Sequence, residues 1–162
     1  DYDNFIFIPR VSSERRRYIP MGFLSSTVMI SDAGYFMPYA DLYTFGVLNS
    51  NVHMAWMRVV AGRLKSDYRY SNFIVYNNFP WPQLNENQKK KIEETAQGIL
   101  ELYLDCSLAD LYDAVLMPKE LREAHRANDR AVMKAYGFDI SMTEEDCVTE
   151  LLKLYSDLCN NN

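Results

Sequence analysis

Pro80 and Pro82 stand one residue apart around Trp81, and neither a strand ladder nor a helix passes through such a pair. Everything before them is β-like and cationic, and everything after them is helical and acidic. The formal net charge of −5 hides this division. Residues 1–78 carry 8 Lys and Arg against 6 Asp and Glu, and residues 79–162 carry 9 against 16, so the two halves stand at +2 and −7. The acidic total argues against a general nucleic-acid coat, while the asymmetry allows a local anion-facing patch in the front half. With 48% hydrophobic residues there is material for one good core or two small ones. The expected fold is α+β: a small irregular antiparallel or mixed sheet with one central helix, followed by a C-terminal bundle of about four helices. The expected division is residues 1–82 and 83–162.

In the front half, Phe5-Ile6-Phe7-Ile8 reads as a buried strand ended by Pro9. Arg10 to Arg17 is a cationic loop or exposed strand. Tyr18–Leu24, Thr27–Ile30 and Tyr35–Met37 read as further strands, with a turn at Asp32-Ala33-Gly34. The central helix runs to Val60 with an apolar face of Leu48, Val52, Ala55, Trp56, Val59 and Val60. It starts either at Asp41, with Gly46 a mild cost inside it, or at Asn49 or Ser50. Gly62 suits its stop, and Phe73-Ile74-Val75-Tyr76 reads as a short strand. In the back half, Asn85 with Gln88 forms a capping box, and the helix after it buries Ile92, Ala96, Ile99, Leu100 and Tyr103. Ser107 starts a helix over Leu108–Leu116. Pro118 starts another, with Leu121, Ala124, Asn128, Ala131, Val132 and Ala135 on one face and Gly137 at its end. Thr143 caps the last, whose face is Cys147, Val148, Leu151, Leu152, Tyr155 and Leu158.

Several classes of chemistry lack their residues. Cys106, Cys147 and Cys159 give neither a disulfide framework nor a Cys-x-x-Cys metal site, and a reducing, cytoplasmic setting fits them best. No apolar run approaches the roughly 20 residues of a membrane span. The start, Asp1-Tyr2-Asp3-Asn4, is acidic and polar, unlike a signal peptide, and without an initiator Met it reads as a cut from something longer. The six glycines are scattered singly, so no phosphate or adenosylmethionine loop is present. His53 and His125 have no metal-ligand spacing; His53, beside an apolar helix face, reads as a structural histidine. Asn77-Asn78-Phe79-Pro80 has the wrong order for the Asn-Pro-Pro-aromatic motif of amino-methyltransferases, and Phe79 and Trp81 are expected to pack the seam between the halves. No catalytic or metal-binding residue is assigned.

Two cationic segments remain. Arg10, Arg15, Arg16 and Arg17 cluster in one loop, and Arg63 to Tyr70 interleaves cations with phenols. Lys65 and Asp67 are two apart, and in an extended segment they would point the same way. Such a pair is either a surface salt bridge or a base reader, in which Lys donates to guanine and Asp accepts from the cytosine amine.

The stretch FGVLNSNVHMAWMRVVAGRLKSDYRYSNFIVYNNFPWP closely resembles the target-recognition region of MmeI-type DNA methyltransferases, in which one long chain fuses an endonuclease, an adenine methyltransferase and a DNA-reading part. The resemblance extends to Pro9-Arg10-Val11-Ser12-Ser13-Glu14-Arg15-Arg16 and, in the back half, from Ser107 to Val132. It implies a bacterial, cytoplasmic restriction–modification enzyme that binds double-stranded DNA. S-adenosylmethionine would serve the parent enzyme and no cofactor this segment, whose partners would be DNA and the upstream methyltransferase domain. It implies base reading by Lys65 and Asp67, and backbone contacts by Arg10, Ser12, Ser13, Arg15, Arg16, Arg63, Arg69 and Tyr70. The helical back half would brace the recognition part or close over the DNA, with most of its acidic surface away from phosphate. A rival reading makes the chain a helical protein-interaction scaffold without DNA binding.

Overall fold

The computed structural model describes residues 4–25, 27, 32–103 and 106–160, with only the backbone of Asn4. Strands β1 (Asn4–Pro9), β2 (Val11–Ser12), β3 (Gly22–Ser25) and β4 (Gly34–Pro38) lead to helices α1 (Leu42–Leu48) and α2 (Asn51–Val60). Strands β5 (Gly62–Leu64) and β6 (Asp67–Arg69) and a π-helical turn (Asn72–Tyr76) follow. Helices α3 (Glu86–Leu100), α4 (Leu108–Leu111), α5 (Lys119–Ala135) and α6 (Glu144–Asn160) complete the chain. The α+β class stands, with two antiparallel three-stranded sheets, ordered β3-β1-β4 and β2-β6-β5, in place of one.

In the first sheet, β1 is central: Ile6 lies opposite Phe23 on one side and Met37 on the other. Burial of Phe5, Ile6 and Ile8 accounts for its continuous apolar run. The strand expected over Tyr18–Leu24 is confined to its end. Tyr18 and Ile19 are buried at 1% and 2% exposure, but Pro20 offers no N–H to a ladder, and pairing begins at Gly22. Of the strand expected over Thr27–Ile30, Thr27 lies in a turn and 28–30 lie outside the described residues.

The single central helix is two helices, because both weighed starts are used. The Asp41 carboxylate accepts from the Thr44 N–H at 2.8 Å, and the Ser50 hydroxyl accepts from the His53 N–H at 3.2 Å. Between them the Asn49 side chain donates to the Phe45 carbonyl, closing α1. Val59 is 56% exposed, off the apolar face expected of it. The strand expected over Phe73–Tyr76 is a π-helical turn. Ser71 caps it, the Asn77 N–H reaches the Asn72 carbonyl at 2.9 Å, and the Asn78 amide donates to the carbonyls of Phe73 and Ile74. These local polar bonds override the β-propensity of its residues.

The helical half follows its pattern more closely. Asn85 and Gln88 form the expected capping box, and Thr143 accepts from the Asp146 N–H. The helix after Ser107 stops at Leu111, short of Leu116, because Asp113 turns the chain by accepting from the N–H groups of Val115 and Leu116. Gly137 ends α5 at φ +73°, where the Phe138 N–H bonds back to Met133 across a left-handed cap. On α6 only Cys147 and Leu151 are buried, and Leu152 and Leu158 are exposed despite their place on the apolar face.

The core runs without a break across the proline pair. α1 packs on α3, α3 on α5 and α6 on α2. Phe79 and Trp81 occupy this seam as expected, with rings 5.5 Å apart, and Tyr136, just after α5, donates to the Pro80 carbonyl. Gly46 is where α1 meets the back half most closely. A Cβ there would stand 2.6 Å from Ile92 and 3.2 Å from Ala96. The Asn128 amide also donates to the Gly46 carbonyl at 2.7 Å. Gly46→Ala should therefore destabilise the chain by about 1–3 kcal/mol through overpacking, although alanine is the better helix former by about 1 kcal/mol. Chemical denaturation of the two variants checks this; an unchanged or raised midpoint would contradict the close approach.

Candidate nucleic-acid interface

The segment from Arg63 to Arg69 is a hairpin, which corrects the extended reading of Lys65 and Asp67. Register pairs Leu64 with Asp67, Arg63 with Tyr68 and Gly62 with Arg69, leaving Lys65-Ser66 as a two-residue turn. Lys65 has φ +56°, a left-handed conformation that a side chain with a Cβ takes at some cost. Lys65 and Asp67 therefore do not project from one straight strand. Lys65 is exposed at the tip, and Asp67 is half-buried where β6 begins.

Alternation across β2, β6 and β5 sorts the remaining residues onto two faces. Ser12, Tyr68 and Arg63 share the inner face, where Tyr68 and Ser12 are buried at 9% and 4% exposure. Val11, Arg69, Asp67, Gly62 and Leu64 share the outer face, where Val11 and Leu64 are 37% and 54% exposed. Arg63 lies over the Tyr68 ring at 3.9 Å, donates to the Ser66 carbonyl at 2.7 Å and pairs with Glu14 at 3.7 Å. It clamps the turn from behind and ties it to the β2–β3 loop. Arg69 is exposed on the outer face and forms no ion pair among the described residues.

The structure brings some of the expected backbone-contacting residues to this sheet and diverts others. Ser12 sits opposite Tyr68, and Ser13 and exposed Arg15 follow directly. Arg10 is engaged elsewhere, paired with Asp32 at 2.8 Å and stacked 5.2 Å from Tyr35 beside a cavity of about 700 Å³. Arg16 donates to the Tyr112 carbonyl at 3.2 Å, a bond from the loop into the helical half. Tyr70 is 1% exposed, and its hydroxyl meets His53 Nε2 at 2.9 Å. That burial corrects its direct phosphate contact: Tyr70 supports the sheet from the core.

Sequence reasoning missed the buried polar groups that tie Tyr18 and the start of α2 to α5. Asp129 accepts from the Tyr18 hydroxyl at 2.6 Å and from the Asn51 N–H at 2.8 Å. Tyr18 stacks on His125 at 4.0 Å, and His125 Nε2 meets the Tyr112 hydroxyl at 2.7 Å. Burial holds both His53 and His125 down to about 3, so they stay neutral at physiological pH, as a structural histidine should. Burial pushes the Asp129 carboxyl up to about 6, against the opposing pull of its hydrogen bonds and of Arg17 and Arg126. The signal in the sequence was Asn128-Asp129 standing on the apolar face of an amphipathic helix, where unpaired polar groups are not tolerated. Among the described residues no cluster of His, Cys, Asp or Glu could hold a metal ion, and no helix is long and apolar enough to cross a membrane.

Comparison with known proteins places this arrangement. The family model "MmeI, target recognition domain" matches residues 1–83, and "MmeI, C-terminal domain" matches residues 84–161. DNA methyltransferase A of Bacillus subtilis (strain 168) is 43% identical over 155 residues, covering 94% of this chain and 18% of that protein. The solved structure of the Type IIL restriction-modification enzyme MmeI in complex with DNA is similar with a TM-score of 0.93 at 45% identity, covering 99% of this chain and 22% of that one. The chain thus spans about a fifth of the length of these relatives.

The buried Asp129 carboxyl leads to a pH-dependent stability. The folded group ionises near pH 6 and the unfolded one near 3.8, so the stability it contributes is whole below pH 3.8 and is lost as pH rises through 6. The two histidines act oppositely, losing stability as pH falls below 6.5, so Asp129 is isolated only by comparison. Asp129→Asn can keep both hydrogen bonds, its oxygen toward Asn51 and its amide toward Tyr18. Relative to this variant, the native chain should lose roughly 2–3 kcal/mol between pH 4 and 7 in urea unfolding. Parallel curves for the two would remove Asp129 as the titrating group.

Proposed function

This chain belongs to the MmeI family, and from that premise we propose that its hairpin reads base edges of duplex DNA for an adenine methyltransferase. Its parent would use S-adenosylmethionine, held by an upstream methyltransferase domain in the same chain, and act in the cytoplasm within a restriction–modification system. Residues 1–82 would form the recognition part and residues 83–162 the helical part that braces it. The observation that carries the reading is the exposed tip at Lys65-Ser66 followed by Asp67 and Arg69, clamped from behind by Arg63.

A two-stranded ribbon of this kind fits the major groove, where guanine offers two acceptors and cytosine an amine donor. Lys65 would donate to guanine and Asp67 would accept from cytosine, so the two would specify one G·C pair. Arg15 and Arg69 would sit on phosphates, which position the ribbon without carrying sequence information. Ser12 and Ser13 would position the adjoining loop through its backbone, and Arg10 and Arg16 would shape it through their bonds to Asp32 and Tyr112.

Two sets of variants of the parent enzyme test these roles. Lys65→Glu combined with Asp67→Arg exchanges donor and acceptor, so the methylated motif should invert from G·C to C·G at one position. A good base contact discriminates by roughly 1–3 kcal/mol, and either single change should mostly lower activity because one charge then faces an unmatched edge. An active double variant with the native motif would make the pair a surface feature. Arg15→Ala and Arg69→Ala should weaken binding on all sequences alike and flatten its salt dependence. A loss confined to one base position would make that arginine a reader instead.

A further inference from the structure

A second cationic feature lies away from the hairpin tip, in the cleft between the β2–β3 loop and α5. Arg15 and Arg17 enter it from the loop, Arg122 and Arg126 enter it from α5, and Asp113 is the one carboxylate on its wall. The cleft holds about 290 Å³. Asp113 is already engaged, accepting from two backbone N–H groups at 2.8 and 2.9 Å. Among the described residues none of the four guanidinium groups forms an ion pair. Arg122 spends one N–H on the Met117 carbonyl at 3.3 Å. Tyr18 on the cleft wall bonds the buried Asp129, whose carboxyl feels both Arg17 and Arg126.

Four like charges brought to one cleft repel each other unless an anion joins them. The planar fork of arginine suits a phosphate, whose oxygens take paired N–H donors. Arg122 and Arg126 are four residues apart on α5, and Arg130 continues the line with an exposed side chain, at about 6 Å per step. That line favours an extended polyanion over a single small ion. Position names which polyanion. Arg15 is three residues beyond Ser12, hence at most about 11 Å from it along the chain, and Ser12 is paired to β6 of the reading hairpin.

We propose that this cleft binds a phosphate of the DNA backbone beside the bases the hairpin reads, so that α5 of the helical half takes part in docking. The proposal rests on the hairpin being the DNA-facing element. It assigns the back half a direct contact, which its overall acidity conceals: four arginines face this cleft against the single carboxylate of Asp113.

The test uses the full-length parent enzyme and a labelled duplex carrying its own site, titrated from about 50 to 200 mM salt. Arg122→Gln with Arg126→Gln should lower the slope of log K against log salt by about 1–2, since each phosphate contact contributes about 0.9. The methylated motif should stay native, and Lys at both positions should restore most of the slope. Arg15→Gln with Arg17→Gln, from the other wall, should give a matching decrease and serves if the α5 pair unfolds, which a melting curve reports. A native slope and affinity in both folded pairs would overturn the proposal. If the motif still responds to Lys65 and Asp67 in that case, the phosphate cleft alone fails. If the native parent shows no salt-dependent duplex binding, the DNA reading fails and takes the cleft with it.

Discussion

The carboxylate of Asp129 ties the segment that enters β3 and the first turn of α2 to α5. It accepts from Tyr18, which leads into β3, and from the first N–H of α2, which leads into the hairpin. Its neighbour Asn128 donates to the Gly46 carbonyl of α1 and accepts from Thr95 of α3. One turn of α5 therefore holds the segment entering β3, the start of α2, and helices α1 and α3. A side chain lost here leaves buried donors unmatched, each costing about 1–3 kcal/mol. Both side chains are buried, Asn128 at 0% and Asp129 at 5% exposure, so the bonds are made within the protein.

This arrangement explains which parts of the fold were legible in the residues. The helices of the back half announced themselves because Asn85, Gln88 and Thr143 satisfy N–H groups locally, without help from distant chain. The hairpin was legible in composition and hidden in geometry. A turn at Lys65-Ser66 contains no glycine, and its left-handed Lys65 is favoured by the strands on either side and by Arg63 reaching the Ser66 carbonyl, both of them contacts beyond local propensity. Phe73–Tyr76 misled for the opposite reason. Its β-branched and aromatic residues favour a strand, but Trp56 donates to the Val75 carbonyl and the flanking Ser71, Asn72, Asn77 and Asn78 wind it up.

The site itself was readable in one dimension only. Spacing placed the cations of the loop and the hairpin in the front half, and those two segments do adjoin through β2 and β6. Nothing local could say that Arg10 and Arg16 are diverted to Asp32 and Tyr112, or that Tyr70 turns inward onto His53. Those outcomes depend on partners 17 to 96 residues away in the chain, whose approach only the packed core decides.

The division between inner and outer face separates the residues that hold the hairpin from those it presents outward. Tyr68 and Ser12 are buried and Arg63 is committed to the turn, so the backbone path is set by residues that face the protein. Lys65 and Arg69 have little packing to lose, and exposed polar side chains of this kind change folding stability by less than about 0.5 kcal/mol when replaced; half-buried Asp67 has more. A change of charge at the tip is then free to alter what the ribbon meets without altering the ribbon. The same logic makes Lys65 the most permissive of the three. Its left-handed backbone is one that Gly adopts freely and Asn at lower cost than Lys, so either residue relieves the turn while removing the ammonium charge.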